Sequence, residues 1–276
     1  MGLIDSIGKF ADPYDRQARL YPALLALFPL AITVTIVFAH QAPMLGNVAV
    51  AAAGCGLLYW MTGVARDRGK RLEAGLFRSW GGKPSIQVLR HRNEAIDPVT
   101  KTRLHAFLAG ELGVDFPTAA DEADAPANAD RLYESATRWL LEQTRDTGKH
   151  GLLFTENISY GFRRNMLGVR WIGLVSALLS VIWLVLDGAA HLPAMPTDLM
   201  GQLFALPSAH RVGLLASAVA VALWTLGVSE GRVRGAAFSY AERLVAACDV
   251  LAGQSPAGGA ARSSLPIPQA NRAASG

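Results

Sequence analysis

Four stretches of this chain carry no Asp, Glu, Lys or Arg: Tyr21–Ala39, Leu45–Thr62, Trp171–Leu186 and Val212–Val228. A helix rises about 1.5 Å per residue, so about 20 apolar residues cross a hydrocarbon core of roughly 30 Å. The pattern therefore predicts four spanning helices. Pro43 and Gly46 place a tight turn between the first two. Pro193, Pro196 and Pro207 make the link between the last two, Asp187–Arg211, an irregular segment. The expected fold is all-α: two transmembrane helical hairpins with a helical cytoplasmic domain inserted between them.

Elsewhere the pattern is amphipathic. A helix is expected to continue from the second span through Arg66–Ser79 and to break at Trp80–Ser85. Periodicity leaves Ile86–Arg92 undecided between a short helix and an extended piece. Asp97 before Pro98 is an N-cap and first-turn pair, opening a helix with Leu104, Phe107, Leu108 and Leu112 on its inner face. Gly113–Ala129 reads as a polar loop. Asp130–Thr147 reads as a helix with Leu132, Tyr133, Ala136, Trp139, Leu140 and Gln143 inward, an outer Glu134–Arg138 pair, and Gly148 past its end. The chain then returns to the bilayer through Thr155–Gly168, and a last helix covers Arg234–Leu251.

The domain expectation follows. Residues 1–20 form a cytoplasmic amphipathic segment on Leu3, Ile4, Ile7 and Phe10, and 21–62 the first hairpin. Residues 63–170 form the cytoplasmic domain, 171–228 the second hairpin and 229–252 a cytoplasmic helix. Residues 253–276, rich in Ala, Gly, Ser and Pro, are expected to be disordered.

Composition sharpens this picture. The chain is 51% hydrophobic and 17% charged over 276 residues, with mean hydropathy +0.25. Of its 48 charged residues (26 basic and 22 acidic), 30 fall within Val64–Gly168. The low average thus mixes uncharged spans with a segment as charged as a soluble domain. Disorder, a collagenous fibre, a disulfide scaffold and an ordinary soluble enzyme are excluded. Cys55 and Cys248 are not a plausible disulfide pair, which fits a reducing compartment.

Lys and Arg placement sets the expected orientation. Of the 26, only Arg211 lies in the two links assigned outside. Arg66 and Arg68 follow the second span, Arg163, Arg164 and Arg170 precede the third, and Arg232 and Arg234 follow the fourth. These are the expected membrane-interface anchors. Both termini then face the cytoplasm of a bacterial inner membrane. No ionisable group lies within a span, which weighs against an ion-coupled transporter. Gly46, Ala49, Ala53 and Gly56 form a small-residue face suited to helix packing, within the chain or between copies in a homo-oligomer. Trp60 to Arg68 and Trp224 to Arg234 echo one another faintly, by common interfacial composition or by an old duplication.

The stretch with most chemistry is Trp80-Gly81-Gly82-Lys83-Pro84-Ser85, followed by Leu89-Arg90-His91-Arg92 and Lys101. Successive glycines turn amides toward an anion, and basic side chains add charge. Gly81, Gly82, Lys83, Arg90, Arg92 and Lys101 are thus the candidate ligand contacts. The competing reading is a turn with basic residues facing anionic lipid. The six histidines show no metal spacing, though His191, Asp198 and His210 share the outer link. No nucleophile motif or paired-carboxylate pattern appears, so no catalytic residue, metal or cofactor is expected. Nucleic acid is not an expected partner.

Trp80-Gly-Gly-Lys-Pro-Ser, Leu89-Arg-His-Arg, Asp97 to Arg103 and Tyr160-Gly-Phe-Arg-Arg-Asn165 together resemble a group of bacterial four-span inner-membrane proteins without an established activity. The plan also resembles, in architecture alone, membrane effectors of nucleotide-signalled anti-phage systems. The function expected is non-enzymatic. The cytoplasmic domain would bind an anionic small molecule or protein partner and couple it to helix packing in the bilayer. A membrane anchor for a soluble partner is the alternative, and a channel or transporter subunit a weaker one.

Overall fold

The computed structural model describes residues 12–38, 44–192 and 198–254, with side chains omitted at 44–50, 199 and 254. The described residues are helical, with no strand among them. The helices are α1 (Asp15–Phe38), α2 (Met44–Ser79), α3 (Pro84–Gln87), α4 (Pro98–Leu112), α5 (Ala119–Asp124), α6 (Pro126–Gln143), α7 (Gly151–Ala190), α8 (Leu199–Ala205), α9 (Ser208–Gly227) and α10 (Glu230–Gln254). They form two compact units. Among the described residues, the first holds those within 12–83 and 154–239, the second those within 84–153 and 240–254.

Among the described residues three helices, not four, are long and apolar enough to cross a membrane: α1, α7 and α9. The expected second span, Leu45–Thr62, lies in α2. The helix does continue unbroken to Ser79, but its later turns carry Arg66, Asp67, Arg68, Lys70, Arg71 and Glu73. The uncharged run with described side chains therefore ends at Ala65. The amphipathic segment through Leu3, Ile4, Ile7 and Phe10, the turn at Pro43, and the tail beyond 254 lie outside the described residues.

The first unit packs α1, α2, α7 and α9 around Ala23, Ala26, Met61, Ala65, Val169 and Trp224. Small residues allow this closeness. A Cβ on Gly168 of α7 would lie 2.5 Å from the backbone nitrogen of Gly69 in α2, so the two helices meet backbone to backbone. The small-residue face read from the sequence is not this contact. Ala53 and Gly56 are exposed, a Cβ on Gly56 would meet nothing within 4 Å, and the side chain of Ala49 and the surroundings of Gly46 lie outside the described residues. Trp171 at 66%, Val212 at 65% and Leu226 at 76% exposure leave apolar surface on this unit uncovered by protein.

The second unit differs from expectation between α4 and α6 and at the end of α6, which stops at Gln143 rather than Thr147 and leaves Gln143 exposed. Of the expected loop Gly113–Ala129, only 113–118 and Ala125 are irregular; the rest holds α5 and the start of α6. Thr118 opens α5 with a reciprocal capping box to Asp121, and α6 begins four residues before the expected Asp130. Asp97 caps α4 as expected, its carboxylate accepting the Thr100 amide at 2.9 Å. The link between α7 and α9 also contains a helix, α8, capped by Asp198.

The Gly168 contact yields a paired prediction. Gly168→Ala forces α2 and α7 apart and should cost about 1–3 kcal/mol. Gly75→Ala, in open space on the same α2, should be neutral or stabilise by about 0.5–1 kcal/mol. Thermal unfolding of both variants in detergent by circular dichroism checks the contrast.

Candidate functional site

The residues after α3 form no regular structure, yet Val88 and Leu89 are fully buried. Backbone groups carried inside with them need partners. The amides of Val88, Leu89 and Arg90 donate to the carbonyls of Pro84, Ile86 and Gln87, and side chains from three helices supply other partners. His105 Nε2 donates to the Leu89 carbonyl at 2.8 Å. Lys101 Nζ, four residues earlier on the same face of α4, donates to the carbonyls of Arg90 (2.8 Å) and Asn93. From α5, Glu122 accepts the His91 amide at 2.7 Å and the Tyr133 hydroxyl of α6 at 2.8 Å. His91 Nε2 donates to the Pro117 carbonyl at 2.9 Å. The Arg90 guanidinium meets the Asp130 carboxylate of α6 in a two-pronged contact at 2.8 and 2.7 Å. Every helix of the residue 84–143 region closes on this one turn.

The electrostatics follow from enclosure. Burial lowers His105 to about 4, so its ring is neutral and the nitrogen facing Leu89 carries the proton. Burial also pulls Lys101 below its ordinary value, against the opposing attraction of Glu122 and Glu94. For Glu122 burial alone would raise the carboxyl. Hydrogen bonds from His91, Tyr133 and Arg92 outweigh it and hold the group below the ordinary carboxylate range. His105 packs against His91 (4.8 Å between rings), Phe116 (5.2 Å) and Tyr133 (5.5 Å).

The six candidate ligand contacts are thus distributed as follows. Arg90 and Lys101 are buried in this hub, and Arg92 is half exposed with Nε 3.9 Å from Glu122. Gly81, Gly82 and Lys83 belong to the first unit. There Gly81 and Gly82 have positive φ, 85° and 131°, and their amides donate back to the carbonyls of Arg78 (3.3 Å) and Phe77 (2.7 Å), closing α2. The sequence signal for the hub was present in α4. Lys101 and His105 share the spacing of Leu104 and Leu108, placing two basic residues in the buried stripe. Glu122 had no such signal, because its helix was read as loop.

The Tyr160–Asn165 motif builds a second buried cluster, in the first unit. Glu73 of α2 accepts from Arg164 Nη1 at 2.6 Å and from the Tyr160 hydroxyl at 2.7 Å. Asn165 Nδ2 donates to the Ala18 carbonyl of α1 at 2.6 Å, and its Oδ1 accepts from Arg164 Nε at 3.2 Å. Arg164 is thereby turned inward, unlike the other expected anchors on α7. Arg163 donates to the Arg232 carbonyl, and Arg170 to the carbonyls of Trp224 and Thr225. Arg66 and Arg68 lie on α2 and Arg234 on α10, where the Arg234 guanidinium sits 5.3 Å from the centre of the Phe238 ring. At the far end of α7, His210 pairs with Asp187 at 2.8 Å, while Asp198 caps α8.

Among the described residues no group of three His, Cys, Asp or Glu is placed to hold a metal. The second unit does present a groove of about 440 Å³ between the start of α7 and the later turns of α10. Leu152, Leu153, Ala246 and Val250 line it, together with His150 and the exposed Lys149 and Arg243. Compared with protein-family models, curated proteins and solved structures, the chain matched nothing.

A neutral, buried His105 makes the fold sensitive to acid. Its folded value lies below the ordinary 6.5, so between about pH 6.5 and 4 the unfolded chain binds more protons. Stability should fall by up to about 3 kcal/mol as pH drops through that window. Melting curves from pH 7.5 to 4.5 should show the loss in the native chain, and a much flatter profile in His105→Gln.

Proposed function

We propose that the chain is a non-enzymatic, multi-span protein of a bacterial inner membrane, with both termini cytoplasmic. In this reading residues 45–62 provide a fourth span, and the second unit is the cytoplasmic domain. The uncharged runs Tyr21–Phe38 of α1, Trp171–Leu186 of α7 and Val212–Gly227 of α9, with large apolar side chains exposed along them, support insertion, since large contiguous apolar surfaces are rare on soluble monomers. The Lys and Arg bias supports the orientation.

The cytoplasmic domain binds a partner and passes the event to the membrane helices. The groove between α7 and α10 carries this reading. Its apolar lining and two exposed basic side chains suit an acidic protein segment that presents an apolar face. Both helices that form it also contribute to the first unit: α7 beyond Leu153, and α10 up to Ser239. A partner that changes how these helices sit in the groove acts on elements shared with the membrane part. Arg90 and Lys101 spend their donors on the hub, which favours the groove over the basic turn as the docking site.

The test uses full-length protein in detergent and two labelled amphipathic peptides, identical except that one carries Glu where the other carries Lys. The acidic peptide should bind roughly tenfold more tightly, as two exposed charges supply. Lys149→Glu with Arg243→Glu should reverse the preference. Equal binding of the two peptides to the native chain contradicts the proposal.

A further inference from the structure

A second groove, of about 470 Å³, lies wholly within the first unit, where α1, α7, α9 and α10 converge. Its apolar lining comes from Leu25, Phe162, Met166 and Leu223. Its polar lining is Ser229 and two arginines, Arg163 and Arg232.

Both arginines are exposed, and neither has a carboxylate within ion-pair distance among the described residues. Arg163 Nη1 donates to the Arg232 carbonyl at 3.4 Å, and Arg232 Nη1 to the Gly227 carbonyl at 3.0 Å. Each guanidinium has five donors, so both keep capacity for an anion. Arg163 stands eight residues before the uncharged run that starts at Trp171, and Arg232 four residues after the run that ends at Val228. The two charges therefore mark the same end of two apolar helices, about where phospholipid headgroups lie if the helices span a bilayer.

We infer that this groove is a binding site for an anionic phospholipid. The headgroup phosphate bridges Arg163 and Arg232, with Ser229 at hand as a further donor. The upper part of an acyl chain lies against Leu25, Phe162, Met166 and Leu223. A soluble phosphate would match the arginines and leave the apolar lining without a partner. A neutral lipid would match the lining and leave the arginines unpaired. This inference rests on the membrane reading above. Release of the chain from membranes by alkaline carbonate would overturn that reading, and the outcomes below judge the lipid site by itself.

The experiment is native mass spectrometry of the delipidated full-length protein in detergent, titrated with phosphatidylglycerol or phosphatidylcholine. Phosphatidylglycerol should be retained with a preference of roughly tenfold to thirtyfold, as two basic side chains at an anionic headgroup supply. Arg163→Gln with Arg232→Gln should abolish the preference. Met166→Trp, which fills the apolar part and leaves the charges, should weaken retention of both lipids. Millimolar inorganic phosphate should leave phosphatidylglycerol bound. Equal retention of the two lipids by the native chain overturns the site without recourse to any variant. An unchanged preference in the double variant, or full displacement by inorganic phosphate, does so too.

Discussion

A backbone amide or carbonyl without a partner is costly wherever water is excluded, and this chain answers that cost in two ways. In the uncharged runs of α1, α7 and α9 the helix satisfies its own backbone, so apolar side chains can face outward. In the turn after α3 the amides of Val88, Leu89 and Arg90 still donate to α3 carbonyls, but the carbonyls and amides beyond them find partners in side chains from elsewhere. His105 and Lys101 take the carbonyls of Leu89, Arg90 and Asn93, and Glu122 takes the amide of His91. Such a turn cannot be closed until α4 and α5 are in place. Arg90 with Asp130, and Tyr133 with Glu122, add α6 to the same closure.

This constraint changes the meaning of the most basic stretch of the sequence. Leu89-Arg-His-Arg with Lys101 reads, as a string, like a surface for an anion. In the folded unit Arg90 and Lys101 are internal, and their charge serves the protein's own carbonyls and carboxylates. The proposed recognition sites therefore lie where basic groups accompany apolar surface: Lys149 and Arg243 in one groove, Arg163 and Arg232 in the other. A lone phosphate-like contact explains neither groove. The amphipathic ligands proposed above would match both.

Much of the local structure was legible in the sequence because it depends on near neighbours. The Asp97–Pro98 start of α4, the outer Glu134–Arg138 pair and the helix through Arg66–Ser79 are all short-range features. The three apolar helices were legible from the absence of charge. What escaped depends on distant partners. Glu122 sits in an acidic, Ala-rich segment that looks solvated until Tyr133 and the His91 amide are brought to it. Arg164 looks like another interfacial arginine until Glu73, 91 positions earlier, is placed 2.6 Å away. The Gly69–Gly168 approach escaped for the same reason, since neither glycine belongs to the small-residue pattern that drew attention to Gly46 and Gly56.

The most direct test of this account is hydrogen exchange at the amide of His91 in the full-length protein. That amide belongs to no helix and donates to a carboxylate 31 residues away. If the turn is sealed by the side chains of α4, α5 and α6, the His91 amide should exchange as slowly as the central amides of α4 and α6, opening only when the unit does. Exchange at the rate of an exposed loop, with α4 and α6 still protected, would contradict it.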